Sequence, residues 1–277
     1  MTLVAVILVG ADYTISPPSR AKELPGVPAV LKAMRRTPAG SPLIIYPLTN
    51  PNDFRLYRFE YFQSYHQHPM LNGTTRATTD DLYRLAVIGY NSPYTPRMLR
   101  TLGIEYAAFL TGEFERDIKF DPRDLPAGYR LVTSAGHDYL YSVDAEPAPL
   151  IPLYYSGFQA PAVFPDGMAY APMSSSTSSI KLDVRVAGGF EISFVAFSPG
   201  APREFEFLLD GKELGRVTIP DAWVRFVLPA TDLSKGKHDL VIRTAARPSA
   251  MNGSQFGLGT RIDVYLVTGD FSVDTAR

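Results

Sequence analysis

From Leu150 to the end, the chain shows no helical period and alternates apolar with polar residues instead. Side chains two apart on a strand share a face, so such alternation specifies half-buried strands and leaves little room for any other fold class. Ile180, Leu182, Val184 and Val186 form one such row, and Phe190, Ile192, Phe194 and Ala196 form the next. Phe205 to Leu209, then Asp210-Gly211, then Glu213 to Ile219 reads as a hairpin, because Asp-Gly suits the tight turn whose twist matches that of its strands. Trp223 to Leu228, His238 to Thr244 and Thr260 to Val267 complete a set of about seven short strands. The expected fold for residues 150–277 is an antiparallel β-sandwich, jelly-roll-like in build.

The preceding part reads differently. Glu146-Pro147-Ala148-Pro149 marks a linker, and residues 12–149 have the pattern of a small α/β domain, so the whole chain is α+β. Val27, Val30, Leu31 and Met34 recur at helical spacing, with Lys32, Arg35 and Arg36 outside. Leu43 to Tyr46 is a compact apolar strand stopped by Pro47, opening into the polar loop 48–53. Thr78-Thr79-Asp80-Asp81 starts a helix through Leu82, Leu85 and Ala86, and the two acids act as first-turn residues. Adjacent helical residues point about 100° apart, which disqualifies Asp80 and Asp81 as a catalytic pair. A second helix has Thr95 as cap and Pro96 at its first position, ends at Gly103, and feeds the strand Ile104 to Leu110. Arg130 to Ser134 and Asp138 to Val143 form a hairpin with His137 exposed in its turn.

Residues 1–11 hold the unbroken apolar run Leu3 to Ala11. Two readings stay open for it: a buried parallel strand, or the end of a transmembrane helix followed by a polar, proline-rich exit. No basic residue precedes the run, which argues against a signal peptide.

Composition removes several function classes. With no cysteine, disulfides, thiolate metal sites and cysteine nucleophiles are excluded. A net charge of −1 without a long basic run argues against nucleic acid and anionic lipid as partners, leaving only a local patch as a route to either. No phosphate-binding glycine loop, nucleophile elbow or His-Glu-x-x-His zinc motif occurs, and no cofactor is expected. Convergent carboxylates for glycoside hydrolysis would have to come from distant acids such as Glu60, Glu105 and Glu113.

The densest group of hydrogen-bonding and stacking side chains is Tyr61-Phe62-Gln63-Ser64-Tyr65-His66-Gln67-His68-Pro69-Met70-Leu71-Asn72-Gly73. Its close reads as a short extended piece and a turn. Two histidines two apart on a strand share a face, but no third ligand stands nearby, so the stretch is expected to be a shaped loop with one ring exposed rather than a metal site. Tyr65, His66, Gln67, His68 and Asn72 are the candidate ligand-binding residues there, joined by Trp223 in the sandwich, whose indole either stacks on a sugar ring or covers one end of the core. The serine-rich run Met173 to Ser179 reads as a flexible loop.

Taken in order, the apolar run, the helix Pro28–Arg36, the strand Leu43–Pro47, the stretch Tyr61–Gly73, the unit Leu102-Gly103-Ile104-Glu105-Tyr106 and the terminal sandwich resemble the extracytoplasmic carboxyl-terminal region of polytopic bacterial membrane proteins of the GT-C glycosyltransferase type. Members often carry a tyrosine- and glutamine-containing segment leading to a histidine, a Lys-Pro pair and an Asn-Gly, then a Leu-Gly-(Val/Ile)-x-Tyr strand. Here Gln67-His68-Pro69 departs from the Gly-Lys-Pro form. The resemblance covers roughly residues 1 to 145. It implies a polyprenyl-phosphate-sugar donor and a catalytic acid that both lie outside this chain, so that these residues position a glycan or lipid-linked glycan rather than catalyse. It further implies a location on the extracytoplasmic face of the cell membrane, with an upstream transmembrane domain of the same protein as partner. The rival expectations are a secreted carbohydrate-binding or cell-envelope interaction protein and a stand-alone enzyme with its site between the two domains.

Overall fold

A computed structural model describes residues 26–48, 55–72, 79–114, 118, 120–159, 162–163, 169–198, 201–245, 249–250, 260–261 and 265–275. The expectations for the run Leu3–Ala11 and for most of the loop after Pro47 lie outside these residues, as do the side chains of Asp80 and Asp81. The described residues are mostly β, with four short α-helices among residues 26–101. None of the described helices is long and apolar enough to cross a membrane.

Helix α1 (Ala29–Met34) precedes strand β1 (Leu43–Tyr46), and helices α2 (Arg55–His66), α3 (Thr79–Ala86) and α4 (Thr95–Thr101) follow before strand β2 (Tyr106–Phe109). Strands β3 (Tyr129–Ala135) and β4 (Asp138–Val143) form the expected hairpin, with Gly136 at φ 63° in its turn. The four strands make one sheet in the order β1-β2-β4-β3, with β1 and β2 parallel. Alternation along these strands sorts their side chains to two sides. Leu43, Ile45, Ala108, Leu110 and Leu140 pack against Val30, Leu31 and Met34 of α1 and Phe59 and Phe62 of α2. Ile44, Tyr46, Ala107, Phe109 and Tyr141 join a second, larger cluster that continues through α4 into the strands beyond Leu150. Tyr46 and Phe109 stack at 5.0 Å between ring centroids, and the Tyr46 hydroxyl donates to the Val87 carbonyl.

Those later strands are β5 (Leu150–Ser156), β6 (Ala162–Val163), β7 (Ala169–Pro172), β8 (Thr177–Val184), β9 (Gly188–Phe197), β10 (Arg203–Leu209), β11 (Lys212–Ile219), β12 (Val224–Val227), β13 (Thr231–Leu233), β14 (Gly236–Thr244), β15 (Ser249–Ala250), β16 (Thr260–Arg261) and β17 (Tyr265–Thr275). They form an antiparallel sheet β11-β10-β14-β8-β5 and a second sheet β12-β9-β17-β7-β6, with β13 also on β9. The inner rows Ile180, Leu182, Val184, Phe205, Phe207, Leu240 and Ile242 of the first sheet and Phe190, Ile192 and Ala196 of the second share one buried cluster. This is a β-sandwich. Asp210 (φ 49°) and Gly211 (φ 81°) make the expected two-residue turn between β10 and β11.

Several local expectations change. Val186 lies past the end of β8 and is exposed, because Arg185 and Val186 turn back to hydrogen-bond the Pro149 carbonyl. The serine-rich run is not all loop: Thr177, Ser178 and Ser179 belong to β8, and the Ser178 hydroxyl donates to the Gly157 carbonyl. Thr95 does not cap α4. Its hydroxyl donates to the Gly89 carbonyl instead, and Thr95 itself is the first helical residue.

Candidate functional site

The stretch that drew attention in the sequence is not a loop with an exposed ring, although its close, residues 69–72, is the expected short extended piece and turn beside Leu43. Tyr61 to His66 are the last two turns of α2, which buries Phe59, Phe62 and His66 along one side. The helix ends where Gln67 takes φ 62° and its N–H bonds the Gln63 carbonyl, a left-handed C-terminal cap. His68 follows, buried, with Nδ1 3.0 Å from the Ser41 carbonyl oxygen and Nε2 2.9 Å from that of Met34. It thereby ties α1 and the entry to β1 to the end of α2. His66 Nδ1 accepts the His68 backbone N–H. Burial first, and the His68 ring second, hold the His66 imidazole down to about 4, so it is neutral near pH 7.

Asn72 is fully buried and works as a surrogate strand residue. Its Oδ1 accepts the Ile45 N–H at 2.7 Å and its Nδ2 donates to the Ile45 carbonyl at 2.6 Å. Two residues earlier on β1, Leu43 bonds the backbone of Pro69 and Leu71, so residues 69–72 close the outer edge of β1. Of the candidate set, His66, His68 and Asn72 are thus buried and engaged by the fold, while Gln67 and Tyr65 face solvent. The acids considered for glycoside chemistry do not converge. Glu105 accepts the Ser41 hydroxyl, and Glu113 pairs with Arg58 at 2.7 Å.

Trp223 lies elsewhere, at the edge of the second sandwich sheet. The pairing Val224↔Ala196 and Arg225↔Val195 puts Trp223 opposite Phe197 on the outer face, since Ala196 points into the core. The two rings lie 5.3 Å apart at 33°, and the indole is 42% exposed. It therefore does not close the core. One step down the same face, Arg225 Nη1 donates to Ser193 Oγ at 3.4 Å. Phe197, Arg225 and Ser193 were missed in the sequence because cross-strand register, not spacing along the chain, brings them to Trp223.

A cleft of about 360 Å³ opens where α3 crosses the outer face of the first sandwich sheet, with Leu82 and Leu153 beside Lys181, Asp210, His238 and Asp239. Lys181 pairs with Asp239 at 2.7 Å, and Asp239 also accepts the Ser179 hydroxyl. His238 holds Asp210 through Nδ1 at 2.7 Å, and Ser234 Oγ lies 3.4 Å from its Nε2. The order Ser, His, Asp suggests a nucleophilic triad, but the hydrogen bonds exclude one. Nε2 lies 2.9 Å from the Ser234 carbonyl oxygen, which only accepts, so both ring nitrogens act as donors and none is left to take the serine proton. Burial alone would lower the His238 imidazole. The Asp210 carboxylate and the Ser234 carbonyl outweigh it and raise it above the ordinary histidine value. Burial likewise opposes ionisation of Asp210, but the bonds from His238 and the Asp239 N–H bring it below the usual carboxylate range. The group braces the Asp210-Gly211 turn against β14. No cluster of three or more metal-ligating side chains occurs among the described residues.

No family model matches the chain, and no curated protein matches it. Solved structures do. The carboxyl-terminal family 6 carbohydrate-binding module of a marine laminarinase from Zobellia galactanivorans is 12% identical over 43% of this chain and 94% of its own, with a TM-score of 0.29. A family 4 carbohydrate-binding module is 14% identical over 46% of this chain and 87% of its own, with a TM-score of 0.29. A family two carbohydrate esterase from Clostridium thermocellum is 18% identical over 46% of this chain and 33% of its own, with a TM-score of 0.28.

Proposed function

We propose that this protein binds a glycan on the outer face of the second sandwich sheet, at the edge formed by β12 and β9. The observation that carries this reading is the exposed Trp223 indole resting on Phe197 with Arg225 and Ser193 beside it. The π-face of an indole carries partial negative charge, and the C–H bonds on one face of a pyranose carry partial positive charge, so the two stack. Equatorial hydroxyls of the same sugar would then meet the Arg225 guanidinium, which the buried Ser193 hydroxyl holds in place. Phe197 supports the indole from beneath, which lowers the entropy lost when a ligand fixes it.

Trp223 is the only tryptophan in the chain, so fluorescence excited on the long-wavelength side of tyrosine absorption reports on this site alone. Titration with a panel of oligosaccharides should quench or blue-shift that emission and give matching heats by calorimetry. Trp223→Ala should abolish the heat, and Trp223→Phe should retain part of it. A folded protein that gives neither signal with any glycan overturns the reading.

We also propose, from the order of sequence features that resembles GT-C membrane proteins, that these residues form an extracytoplasmic portion that positions an acceptor glycan while a membrane domain of the same protein carries the chemistry. The apolar run Leu3–Ala11 followed by a proline-rich exit favours this. The test is fractionation of cells that express the native gene, with protease added from outside the membrane. Protein recovered with membranes and cut only from the outer side supports the proposal. Recovery in the cytosol ends it.

A further inference from the structure

We propose that the layer formed by α1 and α2 docks on an anionic phospholipid surface. Tyr57, Tyr61 and Tyr65 stand four residues apart on α2 and so form one stripe along the helix. Tyr57 is 67% exposed and Tyr65 37%, so two rings of the stripe reach solvent. Beside the stripe, α1 and the residue pair that follows it turn Lys32, Arg35 and Arg36 outward, because Val30, Leu31 and Met34 take the buried side. The Arg35 guanidinium lies over the Tyr65 ring, 5.2 Å from its centroid, so the basic and aromatic halves are continuous.

The acids near this surface leave the basic excess standing. Glu113 is held by Arg58 at 2.7 Å, and Glu60 is half-buried on α2. Three outward cations next to two exposed tyrosines form a local basic patch on a chain whose net charge is −1. That combination matches the chemistry of a bilayer interface. Tyrosine partitions to the headgroup level with its hydroxyl in water, and lysine and arginine meet the phosphates. In the sequence, residues 12–28 join the apolar run Leu3–Ala11 to this same layer. The surface lies on the far side of the four-stranded sheet from the sandwich, since α1 and α2 cover one sheet face and the cluster shared with the sandwich covers the other. It is therefore independent of the glycan reading, and either can fail alone.

The test is co-sedimentation of the full chain with vesicles of phosphatidylglycerol and phosphatidylcholine in a 3:7 ratio, and with phosphatidylcholine alone, at low and high salt. Binding to the anionic vesicles that weakens in salt is expected. Lys32→Gln, Arg35→Gln and Arg36→Gln together should reduce it on the order of 100-fold, at roughly fivefold per neutralised cation. Tyr57→Ser with Tyr65→Ser should weaken it in a protein that still unfolds in one cooperative transition. Because Arg35 packs on Tyr65, Lys32→Gln alone is the control variant, touching no ring, and should still show a roughly fivefold loss. Equal binding to neutral vesicles, salt-insensitive binding, unchanged binding of the triple variant, or salt-sensitive binding to duplex DNA but not to vesicles would each overturn the proposal.

Discussion

The Tyr83 hydroxyl of α3 donates to the Asp183 carboxylate of β8 across the junction between the helical layer and the sandwich. Asp183 is only 6% exposed, and its other partner is Arg185, 2.6 Å away. Burial, then the bond to and charge of Asp183, push the Tyr83 phenol up to about 12 against the opposing effect of Arg185, so the hydroxyl stays a donor at any ordinary pH. Tyr83→Phe should cost about 1–3 kcal/mol, the range for a hydrogen bond to a charged group that loses its donor. The junction also contains the bonds Thr101 to the Ala148 carbonyl and Ala148 N–H to the Arg97 carbonyl, within a continuous apolar cluster. Calorimetric unfolding should accordingly show the loss as a shift of one transition. A second, unshifted transition would mean that the sandwich unfolds apart from the helical layer.

Asn72→Ala removes both partners of the Ile45 peptide in a fully buried place. Two orphaned backbone groups cost about 2–4 kcal/mol together. Hydrogen exchange at the Ile45 amide should accelerate far more than at the Ala108 amide, which lies on β2. Asn72→Asp keeps an acceptor for the amide but faces the carbonyl with another acceptor, so it should not rescue.

Stability should fall as pH drops through the range from about 6.5 to about 4. His66 has its folded value lowered to about 4, so the unfolded chain takes up the proton first, and the stabilisation present above the unfolded value is lost on the way down. At most about 3 kcal/mol is involved. His238 runs the other way: its value is raised, so its contribution is full below the unfolded value and lost as pH rises. Urea titrations should show a shallower rise between about pH 4 and 6.5 for His66→Asn, and the loss of a decline above about pH 6.5 for His238→Asn. An unchanged slope in His66→Asn would show that its ring is not buried neutral.

Gly157 adopts φ 73°, and a Cβ there would lie 2.5 Å from Ser178 Oγ and 2.8 Å from Ser178 Cα. The Gly157 carbonyl also receives the Ser174 N–H and the Ser178 hydroxyl. Gly157→Ala should therefore destabilise by about 2 kcal/mol or more, from left-handed strain and overpacking together. Gly136→Ala, at φ 63° but with open space around it, should cost less, which separates the two effects in a melting series.

How far the sequence could be read follows from the range of each interaction. The sandwich strands were legible because their alternation is local, and the Asp210-Gly211 turn because its chemistry is contained in two residues. Helix α2 was not, since its tyrosines and phenylalanines have strand-like preferences and only packing on the four-stranded sheet selects the helix. Asn72 looked like a turn residue because its partner, Ile45, lies 27 residues away. The Trp223 platform was half legible: the indole stood out, but Phe197 and Arg225 reach it through a register no spacing rule reveals.

The clip at Asn72 has a consequence for the protein's life in a crowded compartment. Leu43-Ile44-Ile45-Tyr46 is the kind of apolar, uncharged segment that, with a bare edge, templates growth of a foreign strand. Residues 69–72 occupy that edge, and the carboxamide of Asn72 takes up the remaining peptide that a passing chain could grip. A substitution there should therefore be felt as misassembly during synthesis, and as lost soluble yield, before any change in ligand affinity becomes measurable.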